Sequence, residues 1–327
     1  MHICMYVNIH IQLLVYYTPP VVGATVGHNM SGTLPTEITL LPSLQSITFP
    51  YNEFTGTIPD VYGSSLPQLT TLQLHGNSLT GSIPSTIWDP EGLRLSPLRI
   101  LNLGDNLLTG TISTELGNLR GLDGLFLFQN FFTGTIPTEI GRLTRLTATR
   151  QNGNLLMGTL PLELGQLWRL QEFWMHDNGI TGTIAAQWAT MRFMRAFRLS
   201  NNLLSGNIPE ELLRSYRLLE RFEVAMNFMS GTISSAFGNL DQLEQIRVSQ
   251  NNLIGTIPAE LGNLAKLRLA WFHLNQITGP MPLEICANRA SNLEFLVADC
   301  FPSMNPPVEC SCCTACCDPT TAICNVF

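Results

Sequence analysis

A six-residue phrase recurs along most of the chain, and this recurrence constrains the fold more than any other feature. FTGTIP at residues 54–59 returns as LTGSIP, LTGTIS, FTGTIP, LMGTLP, ITGTIA, LSGNIP, MSGTIS, LIGTIP and ITGPMP. The glycine of the phrase stands at Gly32, Gly56, Gly81, Gly110, Gly134, Gly158, Gly182, Gly206, Gly231, Gly255 and Gly279. Successive glycines are 24 or 25 residues apart, with one step of 29. A constant period of this length indicates an array of stacked units.

An asparagine stands four residues before the glycine in ten of the eleven units. The ten are Asn52, Asn77, Asn106, Asn130, Asn154, Asn178, Asn202, Asn227, Asn251 and Asn275. Apolar residues lie three, five and eight positions before the asparagine, as Leu74, Leu72 and Leu69 do before Asn77. This spacing, L-x-x-L-x-L-x-x-N, is the leucine-rich repeat pattern. Because an amide both donates and accepts, we expect the ten asparagines to form a structural ladder that satisfies buried turn groups.

The pattern predicts an α/β fold, because each repeat should contribute one short parallel strand and return through a 3₁₀ or irregular segment. We expect a leucine-rich repeat solenoid, curved into a horseshoe or superhelix, with the parallel sheet on its concave face and the 3₁₀ segments on its convex side. A single repeat cannot bury its leucines, so stacking of about eleven repeats supplies the core. We assign residues 26–300 to the repeats and 301–327 to a cysteine-rich carboxyl-terminal cap. Insertions in a solenoid map to loops, so residues 88–97 should protrude in the long step.

The unit N-x-L-x-G-x-I-P-x-x-L-G-x-L resembles the plant-type leucine-rich repeat of receptor kinase and receptor-like protein ectodomains, and of secreted polygalacturonase inhibitors. The ending LEFLVADC followed by VECSCCTACC is similar to cysteine-terminated repeat proteins of diatoms. The resemblance implies an extracellular or cell-surface binding protein that is not an enzyme. Its implied partner is a protein or peptide, or a wall polysaccharide. The chain departs from the family in having no kinase domain and only Cys4 before the first repeat, where a paired-cysteine cap is usual.

Two alternative functions stay open at this point. One is a secreted inhibitor of a wall-degrading glycosidase. The other is an intracellular scaffold whose cysteine tail binds a metal. The formal charge of -7 gives no general attraction to nucleic acid.

Eight of the nine cysteines lie near the carboxyl terminus: Cys286, Cys300, Cys310, Cys312, Cys313, Cys316, Cys317 and Cys324. Given the extracellular resemblance, we expect disulfides that fold the tail over the end of the array. A zinc or copper cluster is the alternative, because Cys313 and Cys316 have ligand spacing, but no second such pair or histidine lies nearby. A thioredoxin-like site is the third reading, although the expected βαβ unit is missing. We therefore predict no metal, and eight cysteines leave 105 pairings open.

Residues 1–25 form a separate amino-terminal segment whose role is ambiguous. Polar Asn8, His10 and Gln12 interrupt its apolar run, which is shorter than a membrane-spanning helix requires. It lacks the basic start of a signal peptide, although Val22-Gly23-Ala24 could serve for cleavage. We expect a poor signal peptide, a membrane anchor or a truncated start that lost its cap.

Ligand contacts are expected on the concave sheet face, from residues four and two positions before the asparagine. The candidates are Phe126, Phe128, Arg150, Trp174, His176, Arg198, Glu223, Arg247, Trp271 and His273. Tryptophan and arginine are enriched in binding hot spots. Stacking among Arg150, Trp174 and Arg198 could instead make a surface that satisfies itself. No nucleophile or second carboxylate accompanies His176 and Asp177, so we predict neither catalysis nor a cofactor. Asn29 begins the only glycosylation sequon.

Overall fold

The computed structural model describes residues 2–7, 11–18, 21–25, 29–88, 96–300, 307–319, 321 and 323–326. The chain divides into two compact units, Met1–Met157 and Gly158–Phe327. Within each unit most repeats follow one path: a strand of a long, mostly parallel sheet, a tight turn, a shorter second strand and one helical turn. This is the leucine-rich repeat fold that the sequence predicts. Most of the protruding loop expected at 88–97 lies outside the described residues.

In the first unit, the main sheet contains two antiparallel strand pairs at its start and parallel pairs thereafter. Its strands are His2–Val7, Ile11–Thr18, Val21–Thr25, Ser46–Thr48, Thr71–Gln73, Ile100–Asn102, Gly124–Phe126 and Ala148–Arg150. The second strands are Ser31–Thr33, Glu53–Thr57, Ser78–Gly81, Leu107–Leu108, Thr133–Gly134 and, across the unit boundary, Leu155–Thr159. Short 3₁₀ helices span Thr36–Leu40, Thr114–Asn118 and Thr138–Arg142, and α-helical turns span Val61–Ser64 and Ser85–Trp88.

The parallel pairing of the first unit begins earlier in the chain than the repeat phrase does. Val21–Thr25 pairs in parallel with Ser46–Thr48, in the register that Thr25 shares with Thr48. This strand lies within the segment that the sequence analysis kept apart as 1–25. Among the described residues, no helix has both the length and the apolar character needed to cross a lipid bilayer.

In the second unit, the main-sheet strands are Glu172–Trp174, Ala196–Arg198, Arg221–Glu223, Gln245–Arg247, Leu269–Trp271, Phe295–Ala298, Ala315–Cys317 and Cys324–Val326. The second strands are Gly179–Thr183, Leu203–Gly206, Phe228–Met229, Ile254–Gly255, Gln276–Ile277, Gly279–Pro280 and Val308–Glu309. The 3₁₀ helices are Leu162–Gln166, Ala186–Thr190, Ser235–Asn239, Ala259–Asn263 and Asn288–Ala290, and the α-helices are Glu210–Ser215 and Leu283–Ala287. Proline precedes many of these helices, where its fixed φ suits an extended residue at a helix start.

The asparagines form hydrogen bonds both within their own repeat and to the preceding one. Asn202, for example, donates to Leu199 O and to Met175 O of the preceding repeat, both at 3.0 Å. Its Oδ1 accepts from Ile180 N at 3.0 Å. The residue just before it, Asn201, has a left-handed backbone with φ 55°, which turns the chain out of the strand. The amide thus joins two repeats whose leucines are fully buried, as Leu199 and Leu204 are.

The carboxyl-terminal tail is a disulfide-bonded cap on the second unit. Four disulfides join Cys286 to Cys312, Cys300 to Cys316, Cys310 to Cys313, and Cys317 to Cys324. The sulfurs of Cys300, Cys310 and Cys313 lie within 4.8 Å of one another, but each is already bonded to another sulfur, so none is a thiolate that could bind a metal. The strand Ala315–Cys317 extends the main sheet beside Phe295–Ala298, and the last strand closes it in antiparallel fashion.

Asp299 ends the repeat pairing after Asn275, the last asparagine of the ladder. Its Oδ1 accepts from Leu274 N at 2.8 Å and its Oδ2 from Asn275 N at 3.2 Å. In the repeat before, Gln250 N and Asn251 N donate instead to backbone carbonyls of His273 and Leu274. The carboxylate of Asp299 therefore replaces two backbone acceptors, although burial raises its pKa.

Candidate ligand-binding site

Five neighbouring strands of the second unit carry a symmetric pattern of side chains on one face of the main sheet. Trp-x-His occurs at both ends, Arg-x-Ser follows inside each end, and Glu223-x-Ala225 stands in the middle. We call these ten residues the sheet-face site: Trp174, His176, Arg198, Ser200, Glu223, Ala225, Arg247, Ser249, Trp271 and His273. The strands pair in register, so Trp174, Arg198, Glu223, Arg247 and Trp271 are successive neighbours.

Each tryptophan of the sheet-face site is covered by an arginine from the adjacent strand. The Cζ atom of Arg198 lies 4.6 Å from the ring centroid of Trp174, and that of Arg247 lies 4.5 Å from the ring centroid of Trp271. These distances permit a cation–π attraction of about 0.5–1 kcal/mol at exposed sites. Both tryptophans are half-buried as a result of this packing. The stacking fixes the orientation of the arginines before any ligand arrives.

The central Glu223 is an internal partner of this site. Its side chain is 3% exposed, and its Oε2 accepts from Arg198 Nε at 2.9 Å. A carboxylate this buried needs such a partner, since an isolated buried charge is costly. We therefore assign Glu223 the positioning of Arg198, in place of the direct ligand contact that its outward register suggested.

Several buried polar atoms of the sheet-face site make no hydrogen bond within the described part of the chain. They include Ser200 Oγ, Arg247 Nε, Trp271 Nε1 and the Nδ1 atoms of His176 and His273. Buried polar groups are nearly always paired in folded proteins, and an unpaired one costs about 1–3 kcal/mol. Ser200, Arg247 and Trp271 offer hydrogen-bond donors here. A ligand that displaces the covering side chains and brings acceptors to this face would satisfy them.

The pKa values of the two histidines of the sheet-face site are lowered, which favours their neutral form. Burial lowers the pKa of His176, and nearby Arg198 lowers it further, while Asp177 and Glu223 act in the opposite direction. Burial alone lowers the pKa of His273. Each imidazole ring lies close to a tryptophan ring. The ring centroids are 6.2 Å apart for Trp174 and His176 and 6.1 Å apart for Trp271 and His273. Neutral imidazoles at these positions can donate or accept.

The cap supports one end of the sheet-face site. Trp271 packs against a buried cluster of Val297, Ala315 and Cys317. Because Cys317 is bonded to Cys324, the disulfide holds the strand on which Trp271 rests. This contact could not be foreseen from sequence, since the pairing of eight cysteines was open.

The three predicted contact residues of the first unit form a separate group. Arg150 Cζ lies 5.5 Å from the ring centroid of Phe126. Phe128 lies across Gly104, two residues after the neighbouring strand Ile100–Asn102, where an added Cβ would come within 2.3 Å of the ring. The absence of a side chain at Gly104 therefore lets Phe128 lie against the sheet. The sequon residue Asn29 is also in this unit and is exposed.

A second, different surface runs along the second strands of the first unit. Hydroxyl residues flank the repeat glycine on both sides in five consecutive repeats. We call this surface the threonine face: Ser31, Thr33, Thr55, Thr57, Thr80, Ser82, Thr109, Thr111, Thr133 and Thr135. Nine of them are exposed and Thr133 is half-exposed. The signal in the sequence is the phrase T-G-T itself, which the sequence analysis used only to measure the repeat period.

Comparison with known proteins agrees with this geometry. The family model described as "Leucine Rich Repeat" matches residues 68–89, 97–119 and 242–264. A plant peptide hormone receptor, RGFR1 in complex with RGF2, is 31% identical with a TM-score of 0.72, covering 86% of this chain and 46% of the receptor chain. A TDR receptor is 30% identical with a TM-score of 0.77, covering 84% of this chain and 46% of that one. The chain thus spans a little under half the length of these receptors.

A plant ice-binding protein is 26% identical with a TM-score of 0.64, and the match covers 75% of this chain and 78% of that protein. Among curated protein sequences no significant match was found. The repeat spacing, the asparagine ladder, the family model and the receptor structures agree with one another. The chain is therefore a leucine-rich repeat protein of the plant type.

Proposed function

We propose that the chain is a receptor-like recognition protein that binds an extended peptide, or an extended segment of a protein, across the sheet-face site. The observation that carries the proposal is the group of buried donors on Ser200, Arg247 and Trp271 that find no acceptor in the described chain. Peptide carbonyls are acceptors of the right kind. The receptor RGFR1, a relative of this chain, is named in complex with the peptide RGF2, which supports a peptide in preference to a wall polysaccharide.

The dimensions of the site suit a short peptide. Trp174 and Trp271 are four strand spacings apart, which is about 19 Å at roughly 4.8 Å per spacing. An extended peptide rises about 3.3–3.6 Å per residue, so about six residues cross the site. The indoles, already fixed by arginine stacking, give rigid aromatic contact surface at either end. Preorganisation of this kind reduces the entropy lost on binding.

The same proposal includes an extracellular location and the absence of catalysis. Four disulfides in a short tail form and persist in an oxidising compartment, which supports secretion or exposure at the cell surface. The histidines are placed beside tryptophans and arginines, an arrangement suited to recognition. A secreted inhibitor of a wall-degrading glycosidase would use the same face and stays the alternative within binding proteins.

The test is a selection of linear peptides from a displayed random library against the folded, oxidised chain, followed by calorimetric titration of the best binder. Arg247→Ala should weaken binding by at least about 1.4 kcal/mol, which is tenfold. Arg214→Ala is the matched control, because Arg214 is an exposed helical arginine whose ion pair with Glu210 lies away from the main sheet. Equal affinity of the wild type and the Arg247→Ala variant would contradict the proposal.

We propose adsorption to ice as a second candidate function. A specific observation favours it: hydroxyl residues flank the glycine in five consecutive repeats, and nine of these ten residues are exposed. The relative named as a plant ice-binding protein supports it as well. The test is partitioning of the folded chain into a slowly growing ice hemisphere, with an acidic globular protein of similar size as the reference. Enrichment in the ice is expected, and rejection into the liquid would contradict this second function.

A further inference from the structure

We propose that the threonine face of the first unit is the surface that binds the ice lattice. The inference rests on the second candidate function and assigns it to a set of residues. Ice is an extended lattice of water oxygens, so a protein that adsorbs to it needs many weak contacts in a fixed two-dimensional array. The threonine face supplies such an array.

The spacing of the array follows from the pairing of the second strands. Backbone pairing places Thr33 beside Thr55, Thr57 beside Thr80, and Thr111 beside Thr133. Paired residues of adjacent strands are about 4.8 Å apart. This distance is comparable with an oxygen spacing along one axis of the prism face of hexagonal ice. Each such pair joins the residue after one glycine to the residue before the next, so the pairs are staggered along the five repeats.

Threonines that precede the glycines are held in a fixed orientation by hydrogen bonds. Thr55 Oγ1 donates to Gly32 O at 3.3 Å, Thr80 Oγ1 donates to Gly56 O at 3.2 Å, and Thr133 Oγ1 donates to Gly110 O at 3.2 Å. Each hydroxyl thus bonds to the backbone of the repeat before it. The bond selects one rotamer, and the selection is the same in each of these repeats.

Threonines that follow the glycines are held in a fixed orientation by packing. The methyl carbon of Thr57 would lie 2.9 Å from a Cβ at Gly81, and that of Thr111 would lie 3.0 Å from a Cβ at Gly134. Both glycines also have positive φ, at 78°, so two independent constraints keep them free of side chains. The methyl group of each threonine therefore rests over the glycine of the next repeat. Members of both rows are therefore held by a neighbouring repeat without a ligand, namely Thr55, Thr80 and Thr133 in one row and Thr57 and Thr111 in the other.

The side chains of the threonine face combine methyl groups with hydroxyl groups. Methyl groups leave neighbouring water to bond with itself, while hydroxyls can take lattice positions as donors and acceptors. A charged side chain would hold its own hydration shell and disturb this order. The ten residues of the threonine face carry no charge, and the exposed Glu53 lies beside Ser31 at one edge of the face. Threonine also suits exposed strands by propensity, but propensity alone does not require the same residue on both sides of each glycine.

The second unit offers a matched control surface. Thr183 pairs with Ser205 as Thr57 pairs with Thr80, and both are exposed. The neighbouring positions there are less regular, since Asn207 and Ile254 replace threonine or serine. A lysine pair at Thr183 and Ser205 therefore adds the same charge and length without touching the regular array.

The experiment compares three proteins by ice partitioning: the wild type, Thr57→Lys/Thr80→Lys and Thr183→Lys/Ser205→Lys. Circular dichroism melting checks that all three are folded, and the single change Thr80→Lys replaces the first double variant if that one melts early. We expect the wild type and the second-unit variant to enter ice, and the first-unit variant to fall to the level of the rejected reference protein. Entry of both variants to the same extent would overturn the assignment while leaving ice binding intact. Rejection of the wild type would overturn ice binding itself, and the assignment with it.

Discussion

The asparagine ladder predicts a specific form of non-additivity. Asn202 and Asn227 both donate to the same carbonyl, Leu199 O, each at 3.0 Å. Each also accepts from one backbone amide of its preceding repeat, Ile180 N for Asn202 and Leu204 N for Asn227. Both side chains are buried, with 6% and 7% of their surface exposed. Leucine has a similar size, so Asn→Leu removes the hydrogen bonds without opening a large cavity.

The magnitude follows from counting which groups lose their last partner. In Asn202→Leu, Met175 O still accepts from Asn178 and Leu199 O still accepts from Asn227. The amide of Ile180 loses its acceptor, so the single change should cost about 1–3 kcal/mol of unfolding free energy. Asn227→Leu should cost a similar amount through Leu204 N. The double variant also leaves Leu199 O unpaired, so it should exceed the sum of the single changes by about 1–3 kcal/mol.

The assay is chemical denaturation of the wild type, both single variants and the double variant, with the disulfides intact. Asn207→Leu is the control, because Asn207 is exposed just after the second strand of the same repeat, and it should stay within about 0.5 kcal/mol of the wild type. Two single variants as stable as the wild type would refute the ladder. Costs that simply add would refute the sharing of Leu199 O.

Three further predictions concern the site and the cap. Trp174→Ala should cost less stability than the about 3–5 kcal/mol of a fully buried tryptophan, but at least about 2 kcal/mol of peptide affinity, as measured by denaturation and calorimetry on one preparation. Cys286→Ala/Cys312→Ala removes a disulfide of sequence separation 26 and should lower stability by about 3–4 kcal/mol on chain-entropy grounds, seen as a lower denaturation midpoint. Burial lowers the folded-state pKa of His176 and His273. Their contribution to the free energy of unfolding is therefore fully present above the ordinary histidine pKa of about 6.5, and it is lost as the pH falls toward the folded-state pKa. The free energy of unfolding should therefore fall less between pH 7.5 and pH 5 for His176→Gln/His273→Gln than for the wild type. An equal fall in the two proteins would contradict the burial of these rings.

The repeat fold could be predicted from sequence because its physics is periodic. Leucines at fixed offsets from Asn77 must point to one interior, and the same offsets recur in each repeat, so a single reading gives all the strands. The outward rows followed from the alternation of side chains along a strand. This is why Trp174 and Trp271 could be placed on one face before the structure was known.

Other features depend on contacts that a periodic pattern does not encode. The burial of Glu223 follows from its ion pair with Arg198, which depends on rotamers in two neighbouring strands. The substitution of Asp299 for a missing backbone partner depends on where the array ends. Disulfide pairing depends on the path of the tail, and eight cysteines allow 105 pairings. The threonine face needed the strand register before its two rows could be aligned.

The central claim is that a ligand supplies acceptors to buried donors of the sheet-face site. Its most direct test is the indole N–H spectrum of the chain labelled with ¹⁵N at its five tryptophans, recorded as the selected peptide is added. Trp188 is the internal control, because its Nε1 already donates to Pro161 O at 3.3 Å. We predict that the Trp271 Nε1–H signal moves downfield at saturation, while that of Trp188 stays in place. A Trp271 signal that is unchanged by a saturating peptide would contradict the claim.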